Sequence, residues 1–315
     1  MTISKALTID VPKTFGSQAA ALAWGAWVEL GVSGWTTTHR DWAIDPEPLI
    51  VFTAWLGHRD ARLLDEATDW CIRNWRFVSK TRLKNLVRSE PQRVRDEFGG
   101  FAATVGANAG VVWPGSTKPR RYSPTQRSSS PHLDRASMAW LRLRATFGLG
   151  ARAEVLRYFL TRGDVSAGVA TIAAEANYTK RNVASECDAL AQADVLRVGT
   201  VGNRHDYSMA RRHEVEALLG GIPALRPNWS AMFHVARVLV ELEDEAVAST
   251  DRTLAIKAHQ AIDAISSDLQ GLDVDRPPST VHGRDLWIAA QALGGATLLP
   301  WSLGETHERS PWAKT

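Results

Sequence analysis

The sequence predicts a mainly α-helical protein with one short β-hairpin near the middle of the chain. Apolar residues recur at helical spacing through residues 1–112 and again through residues 213–315, whereas a strand-like pattern is found within residues 195–209. Of the 315 residues, 44% are hydrophobic and 23% are charged, which is typical of a chain with a buried core. A chain of this length is expected to form two or three domains.

Residues 1–112 are expected to form a helical domain. Helical spacing of apolar residues predicts four helices there, over residues 15–30, 46–56, 61–75 and 80–88. Three of these helices follow a residue that can cap a helix N-terminus, namely Asp45, Asp60 and Ser79. Many tryptophans fall in this region, and their simplest role is to fill a small helical core. The alternative is a ligand pocket lined by Trp35, Trp42 or Trp55.

The next segment, residues 113–132, is rich in proline, serine and arginine and keeps no apolar period. It is therefore expected to be a linker or a long loop. Residues 133–212 are expected to form a second domain, and residues 213–315 a helical C-terminal region. The helices predicted in that last region cover residues 228–248, 253–270 and 286–299.

Charge is unevenly distributed along the chain, although the formal net charge is only +3. Residues 73–95 and 118–152 are strongly basic, whereas residues 241–275 are strongly acidic. The basic stretch over residues 80–95 is open to two interpretations, a degenerate DNA-binding helix or the solvated face of a helical bundle. The basic residues between 135 and 152 lie at the start of the domain expected over residues 133–212 and would add positive charge to it.

Residues 151–209 have the element order of a winged helix-turn-helix. Helical patterns over residues 151–162, 169–176 and 180–193 are followed by strand patterns over residues 195–201 and 204–209. Gly202-Asn203 between the two strands is a signal for a tight hairpin turn. In this fold the third helix enters the major groove of DNA and the two-stranded ribbon forms the wing.

The start of the third predicted helix carries polar side chains suited to DNA. Thr179 and the first amides of the helix suit a phosphate, whereas Arg181 and Asn182 have the bidentate chemistry that reads guanine and adenine. The same helix carries Glu186 and Asp188, which would repel phosphate. The candidate DNA contacts are polar and basic residues of this helix, of the wing and of the upstream helices, namely Thr179, Lys180, Arg181, Asn182, Ser185, Arg204, His205, Arg142, Arg144 and Arg152.

These residues also carry a resemblance to a known family. The resemblance rests on Tyr178-Thr179-Lys180-Arg181-Asn182-Val183, Asp188-Ala189-Leu190, Asp194-Val195-Leu196 and a wing that ends in Tyr207. They are similar to the recognition helix and hairpin of winged helix-turn-helix transcription regulators of the MarR/ArsR type. The resemblance implies a cytoplasmic regulator that binds double-stranded DNA. A homodimer is expected, because two-fold pairing doubles the contacts that one module can make.

Other function classes find less support in the sequence. No phosphate-binding loop, HExxH, GxSxG or metal-spaced cluster occurs, so no enzyme activity, cofactor or metal is expected. No apolar stretch reaches the ~18 residues of a membrane span, and the N-terminal residues lack the apolar core of a secretion signal. The alternative function is a protein-interaction module, such as the antitoxin or regulatory half of a two-gene system that binds a protein partner.

Overall fold

The structure is a computed structural model, and it describes residues 13–34, 38–202 and 204–312. This part of the chain is mainly helical with a small antiparallel sheet, which confirms the predicted fold class in outline. Trp35, a candidate for the tryptophan pocket, and Asn203, in the predicted hairpin turn, lie outside the described residues.

The elements follow one another in chain order. The first five helices are α1 (Phe15–Glu29), α2 (Pro46–Leu56), α3 (Ala61–Asn74), α4 (Lys80–Ser89) and α5 (Gln92–Ala109). The middle of the chain contains α6 (Ala139–Phe147), α7 (Ala151–Arg162), β1 (Ser166–Gly168), α8 (Val169–Ala176), α9 (Lys180–Gln192), β2 (Leu196–Val201) and β3 (Arg204–Met209). The remaining helices are α10 (Arg212–Leu218), α11 (Trp229–Ala246), α12 (Asp251–Ala264), α13 (Ser266–Gly271) and α14 (Asp285–Ser302).

Internal contacts divide the chain into two compact units. The larger unit runs from Trp24 to Ser230, and the smaller one combines the described residues before Trp24 with those after Ser230. The larger unit therefore contains both the first helices and the small sheet. The division into segments 1–112, 113–132, 133–212 and 213–315 stays a prediction.

Local capping signals explain where several helices begin. The side chains of Asp60, Ser79 and Thr179 each accept a hydrogen bond from the amide three residues later, at 2.9, 3.3 and 3.3 Å. Each of these bonds satisfies a backbone donor that the first turn leaves free. Asp45 differs, because α2 begins at Pro46 as predicted but the Asp45 side chain makes no capping bond.

Tryptophan side chains fill much of the core of the larger unit. Trp27 and Trp70 pack edge to face with ring centroids 5.4 Å apart. The indole of Trp27 donates to Thr53 Oγ1 at 2.8 Å, and that of Trp70 donates to the Leu30 carbonyl at 2.7 Å. Other fully or nearly fully buried indoles include those of Trp42, Trp55, Trp113 and Trp140. For Trp42 and Trp55 this burial favours packing over the lining of an open pocket.

The segment over residues 113–132 has no helix or strand, as predicted, but Asp69 of α3 holds part of it in place. The Asp69 carboxylate accepts hydrogen bonds from the amides of Thr125, Gln126 and Arg127 at 2.8, 3.2 and 3.0 Å. Burial raises the pKa of Asp69, but the hydrogen bonds from Gln126 and Thr125 outweigh it, so the pKa lies below its usual value. This carboxylate therefore holds the backbone of residues 125–127 against α3.

Helix α7 packs on α8 and α9, and these two helices pack on a three-stranded sheet with the order β1-β3-β2. The sequence predicts only two of these strands, and β1 adds the third by pairing antiparallel with β3 from Ser166↔Ser208 to Gly168↔Asp206. The shared core is formed by apolar side chains from all of these elements, among them Val155, Phe159, Ile172, Val183, Cys187, Leu190, Leu196 and Tyr207.

The smaller unit is built from the start of α1 and from α11–α14. The amides of Phe15 and Gly16 donate to the two carboxylate oxygens of Glu243 at 2.9 and 3.0 Å, so a side chain of α11 caps α1. A Cβ at Gly294 of α14 would lie 2.1 Å from the Phe15 ring, which explains the glycine there. Among the described residues, no helix combines the length and the apolar character needed to cross a membrane.

Candidate nucleic-acid interface

The start of α9 presents a polar surface to solvent. Val183, Cys187 and Leu190 point into the core and fix which face of the helix is outward. The predicted contacts at the helix start are all exposed, namely Thr179, Lys180, Arg181, Asn182 and Ser185. Among the described residues, neither Lys180 nor Arg181 is held in an ion pair. Two cationic side chains are therefore available at a helix N-terminus, where the helix dipole already favours an anion.

The two acidic residues of α9 are both engaged by neighbours. Arg152 at the start of α7 places its Nε 2.8 Å from Glu186 Oε2. Tyr207 of β3 donates its hydroxyl proton to Asp188 Oδ1 at 2.6 Å, and its pKa is raised by burial and by that carboxylate. Glu186 faces a cation and Asp188 accepts a hydrogen bond, so both carboxylates would repel a phosphate less strongly than free carboxylates would.

The strand register separates the two predicted wing residues. His205 pairs with Thr200 and lies on the same face of the ribbon as the buried Tyr207. Arg204 lies on the opposite face, which it shares with Arg197 of β2. Both arginines are exposed. Arg197 is therefore a candidate that the sequence analysis missed, although the alternation of side chains along a strand could have found it.

The structure corrects the prediction for Arg144. This residue is 4% exposed, and its guanidinium donates to Glu47 at 2.9 and 2.7 Å and to Glu154 at 3.0 and 2.8 Å. Because it is buried and fully engaged by two carboxylates, it cannot reach a DNA phosphate. Arg142 is partly buried and donates to the carbonyls of Leu133, Arg135 and Gly221, so its role is to hold backbone together. Arg152 stays a candidate, since its side chain is 47% exposed beside Glu186.

Arg144 belongs to a buried ionic cluster that joins α2, α4, α6 and α7. We call this group of three carboxylates and three guanidiniums the ionic cluster, and its members are Asp45, Glu47, Glu154, Arg82, Arg144 and Arg157. Arg157 bridges Glu154 at 2.7 Å and Asp45 at 3.3 Å. Formal charges balance within the cluster, which is the arrangement that allows ions to be buried.

Burial and neighbouring charge shift the pKa values of the carboxyl groups in the ionic cluster. Burial raises the pKa of Glu154, but the guanidiniums of Arg144 and Arg82 lower it by more than burial raises it, so the pKa is about 2. The same balance holds the pKa of Asp45 far below its usual value. Glu47 has no solvent contact, and there desolvation outweighs the guanidiniums and raises the pKa.

Residues suited to other chemistry are sparse. Within the described residues, no group of three histidine, cysteine or acidic side chains is placed to hold a metal ion. Cys71 and Cys187 are both buried and unbonded, and burial raises the pKa of each thiol. No protein-family model, curated protein or solved structure matches the chain.

Proposed function

We propose that residues 151–209 form a winged helix-turn-helix that binds double-stranded DNA. The observation that carries the proposal is the pair of exposed cations, Lys180 and Arg181, at the capped start of α9, which form no ion pair with any described residue. A helix N-terminus favours phosphate through its free amides and its dipole. The adjoining guanidinium of Arg181 and carboxamide of Asn182 have the geometry to bind guanine and adenine edges.

The arrangement around α9 supports the same proposal. In a winged helix-turn-helix the third helix lies in the major groove, and the hairpin that follows it contacts the flanking backbone. Here α7, α8 and α9 would be the three helices, and β2 and β3 the wing. Arg197 and Arg204 would then face a phosphate from the outer side of the ribbon, while His205 would approach from the inner side.

We further propose that the protein acts as a transcription regulator in the cytoplasm and binds DNA as a homodimer. A single α9 could contact only a few base pairs, and a two-fold pair would double that contact set. A dimer would select two half-sites whose centres lie ~34 Å apart or a multiple of that distance. Sedimentation of the full chain with and without its duplex would measure the number of copies bound.

The test is selection of bound sequences from a random duplex pool, followed by affinity measurements at fixed salt. Replacing Lys180 and Arg181 by alanine should lower the affinity for the selected duplex about 10- to 100-fold, because Arg181 would lose a base contact worth ~1–3 kcal/mol. The matched control is Arg252→Ala with Arg284→Ala, which removes two exposed charges from the smaller unit. Equal affinities for the two variants, or enrichment of no duplex, would overturn the proposal.

A second candidate function is the docking of a protein partner. The observation that favours it is Val198, an apolar residue of β2 that is 43% exposed beside an open groove. The groove lies between the end of α9, β2 and α10, and Arg197 and Glu214 are among its lining residues. Co-expression with the neighbouring gene product should then yield a stable complex that Val198→Asp disrupts, whereas Lys180→Ala would leave it intact.

A further inference from the structure

The basic helix α4 lies directly beside the turn that leads into α9. The hydroxyls of Ser79 and Tyr178 share a hydrogen bond of 2.8 Å. One turn along α4, Asn85 Nδ2 donates to the carbonyl of Asn177 at 2.7 Å. These two bonds connect residues 99 and 92 positions apart in the sequence, and they place the stretch from the cap of α4 to Asn85 against the α8–α9 turn.

The outward face of α4 is cationic. Its inward face consists of Arg82, Leu83 and Val87, which are buried. The remaining face carries Lys84 and Arg88, which are exposed and stand one helical turn apart. Within the part of the chain that the structure describes, neither side chain forms an ion pair. This face therefore has two cations with nothing yet bound to them.

The position of α4 relative to α9 is set by buried interactions. Arg82 projects from the inward face of α4 into the ionic cluster, where it bridges Asp45 and Glu47. Glu154 of α7 lies in the same cluster, and α7 packs directly on α9. These contacts hold α4 in a fixed position near the start of α9. Two elements that bind one ligand need such a fixed arrangement.

We infer that α4 is a second DNA-contacting element, in which Lys84 and Arg88 bind backbone phosphates beside the groove that α9 enters. The inference rests on the proposed function of α9. α4 contacts the turn that precedes α9, and the major groove is ~12 Å wide. An element at the N-terminal end of the groove-filling helix would therefore stand beside a flanking phosphate strand. Phosphates carry no sequence information, so this contact adds affinity without selecting bases.

The test compares salt dependence and sequence preference for three forms of the full chain. Lys84→Ala with Arg88→Ala should weaken binding to selected and unrelated duplexes alike, by roughly tenfold at low salt, and should lower the slope of log affinity against log salt by about 2. Sequence preference should stay unchanged. Lys180→Ala with Arg181→Ala should instead reduce the preference for the selected duplex, and Arg252→Ala with Arg284→Ala should change neither quantity.

The outcomes separate the two proposals. If the α9 variant loses affinity while the α4 variant matches the Arg252/Arg284 control in affinity and slope, α4 makes no contact and the inference is overturned, although the proposed function stands. If the unaltered chain binds no duplex, the proposed function fails and the inference fails with it. Thermal melting of each variant checks folding, and Lys84→Gln with Arg88→Gln replaces the alanine pair if that pair melts early.

Discussion

Arg82 donates from both terminal nitrogens to the two carboxylate oxygens of Asp45, at 2.6 and 2.7 Å, in a site where Arg82 is 1% exposed. This bidentate pair joins the residue that precedes α2 to the inward face of α4. Such a pair is held by geometry as well as by charge.

Replacing Arg82 by methionine should lower the free energy of unfolding by ~3–5 kcal/mol, because it leaves buried carboxylates without their cation. The measurement is urea unfolding of the full chain at neutral pH. Lys84→Met is the matched control, since Lys84 is an exposed cation on the same helix and its loss should change stability by less than ~0.5 kcal/mol. Equal losses for the two variants would contradict the role given to the ionic cluster.

The lowered pKa of Glu154 predicts how the free energy of unfolding should change with pH. Its pKa is about 2 in the folded chain, against a usual value of 4.5, so its ionised form stabilises the fold above pH 4.5. That contribution should disappear as pH falls from 4.5 towards 2. The gap in unfolding free energy between the native chain and Glu154→Gln should therefore be constant above pH 5 and close below pH 4.5. A gap that stays constant down to pH 2 would show that Glu154 titrates normally.

Asp69→Asn should loosen the chain around Thr125, Gln126 and Arg127. An amide cannot reproduce the charge-assisted bonds that the carboxylate accepts from Thr125, Gln126 and Arg127. Trypsin should then cleave after Arg127 several times faster under native conditions. Asp65→Asn is the control on the same helix, because its ion pair with Arg120 is partly exposed, at 49% and 32% of the two side chains, and such a pair is worth only ~0–1 kcal/mol. Cleavage of Asp69→Asn at the native rate would refute the assignment.

Glu186→Gln should strengthen DNA binding if α9 is the reading helix. The change removes a negative charge from the outward side of α9 and frees Arg152, which now faces Glu186 at 2.8 Å. We expect an affinity gain on the order of threefold to tenfold at low salt, with a steeper salt dependence because one more cation is available to a phosphate. Glu245→Gln, in the smaller unit, provides the control. Weaker binding by Glu186→Gln would mean that the carboxylate itself contacts the ligand.

Helix boundaries proved predictable where a capping residue precedes a regular apolar period. The starts of α3, α4 and α9 fall where the sequence places them, and Asp60, Ser79 and Thr179 cap these helices. The three-residue strand β1 was missed because a segment so short has no period to detect. It exists only because β3 offers an unpaired edge.

The residues of the ionic cluster show why the candidate site was predicted only in part. Arg144 has a basic side chain on a helix, and local pattern alone assigns such a residue to the surface. Its partner Glu47 lies 97 positions away, and no local signal connects the two. Asp45 was expected to cap α2, yet its carboxylate binds Arg82 instead. The exposed positions of Lys180 and Arg181 follow from the helix period, but DNA binding by them stays a prediction.

The ionic cluster limits how far the chain can be divided. A fragment that begins after residue 132 would keep Arg144, Arg157 and Glu154 but lose Asp45, Glu47 and Arg82. The fragment would then expose the two guanidiniums of Arg144 and Arg157 to solvent, with only the carboxylate of Glu154 left to balance their charge. We therefore expect that the segment that carries α9, grafted onto another protein, would need the first helices with it in order to fold.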